Sequence, residues 1–158
     1  MANYTLQDIT ELRELTGMGL SDIKKALEEA EGDRSKALEA LRKRGASIME
    51  KKSERTAGEG LIEAYVHGGR TGVLVEINCE TDFVSRGELF KEFAHDIALQ
   101  IASMAPENVE ELLAQTYIKD SKLTIADYLR DTTGKLGEKI VITRFIRYGL
   151  GETAEAAA

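Results

Sequence analysis

An internal disulfide is out of reach for this chain, because Cys79 is the only cysteine among its 158 residues. A lone thiol suits a reducing compartment, so a cytoplasmic location is expected. No apolar run approaches the roughly 18 residues that a membrane helix needs. The opening residues MANYTLQDIT lack the apolar stretch of a signal peptide. Membrane attachment is therefore not expected. Nor is there an excess of positive charge, since the formal net charge is −7. Residues 1–55 carry 11 Lys/Arg against 11 Asp/Glu, and residues 56–158 carry 10 against 17. Phosphate backbones are held by concentrated positive surface, so direct nucleic-acid binding is not expected either. The one basic cluster is Arg42, Lys43, Arg44, Lys51, Lys52 and Arg55; Glu50 and Glu54 dilute it, and it reads as a solvated helix end.

Catalytic groups are equally scarce. His67 and His95 are the only histidines, and neither stands beside a recognisable nucleophile or metal-ligand spacing. Each reads as a satisfied or solvated side chain, and Cys79 as a small buried hydrophobe. HGGRTG at 67–72 leads into a strand, so it presents no helix N-terminus to a phosphate. TGKLGEK at 133–139 lacks the GxxxxGK[ST] spacing that wraps backbone amides around phosphates. No cofactor, no metal and no bond-making chemistry are expected, which leaves a contact surface to carry the function.

What is present is patterned. Leu6, Ile9, Leu12 and Leu15 recur at steps of three and predict one helix. The glycines of TGMGL break it, and Ser21 is a candidate N-cap for a second helix with Ile23, Ala26, Leu27 and Ala30 inward. Asp33 can cap a third helix, with Ala37, Leu38 and Leu41 inward and Gly45 closing it. This gives a three-helix domain at 1–46. The polar stretch 47–60 reads as a linker. LIEAYVH (61–67), a turn GGRTG and VLVEINC (73–79) predict a β-hairpin. A long apolar-striped helix follows over 88–104, ended before Pro106. A short helix at 107–115 and another at 123–129 come next, the latter interrupted by TTGKLGE. KIVITRFIRY (139–148) predicts a third strand paired with the hairpin. The expected fold is α+β: three N-terminal helices, then an antiparallel three-stranded sheet packed with helices over 61–150, and a disordered tail at 151–158.

One stretch stands apart. After the strand, NCETDFVSRG places Phe83 among polar residues. Spacing alone leaves two readings open: Phe83 folds back as core under the 88–104 helix, or it projects to enter something else.

ELRELTGMGLSDIKKALEEAEGDRSKALEALRKRGA (11–46) closely resembles the N-terminal helical module of the elongation factor Ts family, whose fold is like ubiquitin-associated domains. VLVEINCETDFVSRGELFKEFAHDIALQIA (73–102) resembles the same family's core, with TDFV at 81–84 as its signature, and KIVITRFIRYGLGE (139–152) resembles its closing strand. The resemblance implies a guanine-nucleotide exchange factor for elongation factor Tu, binding that partner both GDP-bound and nucleotide-free. It implies that Thr81, Asp82, Phe83 and Val84 dislodge the partner's Mg²⁺, with Phe83 wedged between two helices of its GTP-binding domain. It also implies that Arg13, Met18, Leu20, Ser21 and Lys24 grip another helix there. The alternative is a binding adaptor that holds a partner without speeding exchange. The chain resembles a short form with one core module, which could recover missing surface by pairing two chains through sheet edges.

Overall fold

The computed structural model describes residues 3–52 and 55–152. They fall into two compact units: one takes the residues up to Arg55 together with Asp127–Lys139, the other Thr56–Ala126 and the residues from Ile140 onward.

The first unit is helical. Its first helix, α1 (Leu6–Thr16), starts at a capping box: the Thr5 hydroxyl accepts from the Asp8 amide, and the Asp8 carboxylate accepts from the Thr5 amide at 2.7 Å. Ile9 and Leu12 are buried whereas Leu6 and Leu15 are exposed. A step of three falls short of a full helical turn by about 60°, so four such residues sweep half the circumference and only the middle two face the core. Helix α2 (Leu20–Glu29) buries Ile23, Ala26 and Leu27. Its N-cap is Gly19 and not the expected Ser21. Ser21 already lies inside the first turn, where its hydroxyl is past the amides a cap must reach.

Helix α3 (Arg34–Lys52) is capped as expected, Asp33 accepting from the Lys36 amide at 3.1 Å. It runs through Gly45 into the expected linker. A terminating glycine adopts positive φ, and Gly45 is not among the residues that do. Ile9, Leu12, Met18, Ile23, Ala26, Leu27, Ala37 and Leu41 form this unit's core.

The second unit is built on a sheet ordered β1 (Glu59–His67), β2 (Thr71–Cys79), β3 (Val141–Gly149), antiparallel throughout. The β1–β2 register runs from Glu59 opposite Cys79 to His67 opposite Thr71. A bulge between Glu76 and Ile77 shifts the β2–β3 register, so that Glu76 faces Arg144 and Ile77 faces Ile142. Helix α5 (Glu88–Met104) lies on one face, burying Phe90, Phe93, Ala94, Ile97, Ala98 and Ile101 above β1 and β2. Its bounds are those the apolar stripe predicts. Helix α6 (Val109–Ala114) is capped by Asn108, which accepts from the Glu111 amide at 2.8 Å.

Two buried polar residues of α5 tie down the chain beyond α6. Asp96 accepts from the Tyr117 hydroxyl at 3.0 Å and from the Lys119 ammonium. Gln100 accepts from the Ile118 amide and donates to the Thr116 carbonyl, each at 3.0 Å. Buried polar groups are tolerated when partnered in this way.

The last helix, α7 (Ile125–Leu136), continues through the expected interruption. The Thr132 and Thr133 hydroxyls donate to the carbonyls of Tyr128 and Leu129, four residues back, so the threonines remain helical. The helix ends at Gly137, whose φ is 74° and whose amide donates to the Thr133 carbonyl. Residues 127–139, expected within a continuous 61–150 domain, group instead with the N-terminal helices. Residues 153–158 of the expected disordered tail lie outside the described residues.

Candidate functional site

Where β2 ends, a four-residue helix α4 (Asp82–Ser85) forms the turn that carries TDFV. Three contacts brace it. The Cys79 thiol donates to the Thr81 carbonyl at 3.1 Å. Thr81, in extended backbone, accepts the Val84 amide on its hydroxyl at 3.4 Å as the N-cap. The Ser85 hydroxyl donates to the Asp82 carbonyl at 3.0 Å. Val84 and Ser85 are buried. Adjacent helical side chains point about 100° apart, so anchoring Val84 inward turns Phe83 outward, where it is 85 % exposed. Thr81 and Asp82 are exposed too, and Asp82 pairs with Arg86 at 3.2 Å. Phe83 does not fold back under α5. An aromatic ring on a braced turn is presented to solvent at the cost of apolar exposure, the arrangement expected of an anchor for another surface.

The other predicted contact residues lie in the helical unit. Arg13 is exposed near the end of α1, and Leu20, Ser21 and Lys24 are exposed along the first turns of α2. Leu20 is the apolar member of this group, 47 % exposed. Met18 differs from expectation. It is only 7 % exposed and belongs to the core cluster, because Gly17, at φ 64°, ends α1 and turns the chain so that residue 18 points inward. The structure therefore brings Arg13, Leu20, Ser21 and Lys24 onto accessible surface and withdraws Met18 from it.

Titratable groups do not converge on either place. In the helical unit, the Asp8 carboxyl is held below its usual range, first by the Thr5 amide and then by the Thr5 hydroxyl. Burial pushes the Asp131 carboxyl up, against the opposing pull of Arg42 and Lys135. In the sheet unit, the Tyr65 hydroxyl lies 2.9 Å from His67 Nδ1, and His95 Nδ1 lies 3.4 Å from Glu63. Each histidine thus has a partner on the surface. Among the described residues no group of three His, Cys, Asp or Glu is placed to hold a metal ion, and no helix is long and apolar enough to cross a membrane.

A further surface went unread in the sequence. The sheet face opposite α5 exposes Ile62, Val66, Leu74, Ile146 and Tyr148. Between Ile62, Leu74 and Ile146 runs a shallow apolar groove bordered by the Arg144–Glu76 pair at 2.9 Å. The signal was available: Ile62, Val66 and Leu74 are apolar at the strand parity opposite to Val73, Val75 and Ile77, so both faces of the hairpin are apolar.

These features define an α+β protein with exposed apolar side chains at Phe83, at Leu20 and on one sheet face. Comparison with known proteins gives it a family. Residues 80–156 match the model of the family described as Elongation factor TS. Elongation factor Ts of Synechocystis sp. is 42 % identical, the alignment taking in 99 % of this chain and 94 % of that protein. Its counterpart from Carboxydothermus hydrogenoformans is 43 % identical over 94 % of this chain and 89 % of its own length. That of Rippkaea orientalis is 40 % identical over 98 % and 81 %. The chain belongs to the elongation factor Ts family. The Synechocystis alignment extends over 204 positions, more than this chain's 158 residues, so that relative carries segments with no counterpart here.

Proposed function

We propose that this protein is a cytoplasmic guanine-nucleotide exchange factor for elongation factor Tu, acting in translation elongation without making or breaking bonds itself. The observation that carries the reading is Phe83, 85 % exposed on a turn whose neighbours are anchored. Phe83 enters an apolar slot between helices of the partner's GTP-binding domain, with Thr81, Asp82 and Val84 setting its approach. Mg²⁺ requires near-ideal octahedral geometry, so a small shift of the elements that hold it weakens metal and phosphate binding together. Coupling between sites is reciprocal: a factor that binds the nucleotide-free partner more tightly lowers that partner's nucleotide affinity by the same ratio. Arg13, Leu20, Ser21 and Lys24 supply a second grip on the same partner domain.

The test is release of a fluorescent GDP analogue from elongation factor Tu with this protein present in substoichiometric amounts. Acceleration through many turnovers supports exchange. Stoichiometric binding that leaves the release rate unchanged would make the protein an adaptor.

We also propose that two chains pair. The apolar sheet face, rather than the expected sheet edges, is the surface for it. A second copy presents the same apolar set, and such self-complementary contacts close into a two-fold dimer. The Arg144 and Glu76 side chains border the groove with opposite charges that a two-fold can juxtapose.

A further inference from the structure

We propose that residues 127–139 of the helical unit position the partner-gripping turn between α1 and α2, with Gly134 and Met18 as the positioning residues. The functional half of this inference rests on the exchange reading above; the structural half does not.

The turn is held from two directions, by Thr16 and by α7. Thr16, at the end of α1, is buried; its hydroxyl donates to the Leu12 carbonyl at 2.6 Å and accepts the Met18 amide at 3.3 Å. The last turn of α7 lies directly against Gly17: a Cβ at that position would fall 2.8 Å from Lys135 Cα and closer still to its Cγ. One residue earlier, a Cβ on Gly134 would sit 3.5 Å from the Thr16 carbonyl oxygen and 3.9 Å from Met18 Sδ. That is ordinary contact distance for a methyl group, and the cavity that half-buried Gly134 shares with Thr16 and Met18 holds only about 10 Å³, far less than three further carbons. The flanking Thr132 and Thr133 are buried with their hydroxyls satisfied inside α7.

Packing this close transmits displacement, because protein interiors have few voids to absorb it. Met18 is thereby fixed as an inward anchor, and the chain leaves it through Gly19, the N-cap of α2. Leu20 and Ser21 follow at once, and Lys24 stands one turn further on. Their direction is set by where Met18 is seated, and Met18 is seated in the α1–α3 core with its Sδ facing Gly134 of α7. None of this is visible in the resemblance of 11–46 to a self-contained module, since more than 100 residues separate Met18 from Gly134 in the chain.

The test uses the full chain. Gly134→Leu adds three carbons beyond the methyl that fits; Gly134→Ala adds only that methyl and serves as the conservative control. Hydrogen exchange is read first, on the free protein. G134L is expected to speed exchange of the hydrogen-bonded amides of Met18, Ile23 and Lys24 by about tenfold or more, with β2 amides unchanged and G134A like wild type. Release of the GDP analogue is then measured over a range of factor concentration. In G134L the half-saturating concentration rises by about tenfold while the maximal rate is kept, since Phe83 is untouched; G134A restores both.

Wild-type protection of the Met18, Ile23 and Lys24 amides in G134L overturns the proposal. So does lost protection with an unchanged half-saturating concentration. If wild type itself fails to accelerate release, the exchange reading falls, while the amide data still decide whether α7 holds the turn. Should β2 protection also collapse in G134L, Gly134→Val repeats both measurements with a smaller side chain.

Discussion

Replacing Phe83 by alanine should separate folding from function. The ring is 85 % exposed, so its removal takes little apolar area out of the protein's own core. Exposed substitutions away from caps and special backbone change stability by no more than about 0.5 kcal/mol, and F83A should melt with wild type. On the partner the account is reversed. Taking a phenylalanine side chain fully out of water contributes about 1.5–3 kcal/mol. At about 1.4 kcal/mol per factor of ten, F83A should lower kcat/KM for GDP release about 10- to 150-fold. The assay is displacement of a fluorescent GDP analogue from elongation factor Tu across a range of factor concentration, with Val84→Ala in parallel. Val84 is buried under the same turn. Its truncation should cost about 1.5–2.5 kcal/mol of the fold's own stability. Equal kcat/KM for wild type and a folded F83A would refute the wedge, and the lever would have to lie elsewhere on the surface.

The two perturbed carboxyls of the helical unit predict opposite responses to acid. The Asp131 carboxyl is raised above its unfolded value, so its contribution is fully present below the unfolded pKa of 3.8 and is lost as pH rises through the folded value. Asp131→Asn should therefore unfold at higher denaturant concentration than wild type at pH 7, an advantage that shrinks toward pH 4; a lower midpoint at pH 7 would refute this sign. The Asp8 carboxyl is lowered by Thr5, so its contribution is present above 3.8 and is lost as pH falls through the folded value. Thr5→Ala removes the cap and should cost the helical unit about 1 kcal/mol at neutral pH, read by urea unfolding; an unchanged midpoint would mean the capping box contributes nothing net. Leu74→Asp places a charge in the apolar sheet groove; if two wild-type chains pair there as proposed, sedimentation should give two chains for wild type and one for the variant. A dimer that survives L74D would move the pairing surface elsewhere.

Much of this fold was legible because single elements carried complete signals. Helix α5 has a wide apolar stripe, a preceding glycine and a following proline, and both its ends fell where expected. Two strand-rich runs on either side of the glycine turn were enough to place the hairpin. What failed did so for identifiable reasons. Gly45 and Gly134 carry the same letter as Gly17 and Gly137, yet the first two continue a helix while the latter two, at positive φ, end one. Composition does not distinguish a glycine chosen for its φ from one chosen for lacking a side chain. Thr132 and Thr133 looked like helix breakers until their hydroxyls found carbonyls four residues back. Phe83 was undecided because its direction depends on Val84 being the neighbour that is buried, which is a tertiary fact. Met18 was misplaced for a related cause: the left-handed turn at Gly17 aims it into the core of α1–α3, and a residue's direction out of such a turn is not written in its letter.

The discontinuity of the helical unit bears on how this protein is born. Three of its helices are complete by Lys52, but the segment that seats against the Gly17 turn is not synthesised until residues 127–139. At about 5–20 residues per second, the nascent helices spend several seconds without that seat, a period in which the whole β1–β2 hairpin and α5 are made. Ribosomal synthesis thus delivers the sheet unit's first two strands before the helical unit can be finished, and one later stretch settles both units within a few residues of each other: α7 for one, β3 for the other. A chain that stalls before residue 127 has the whole TDFV turn but an unseated α1–α2 turn.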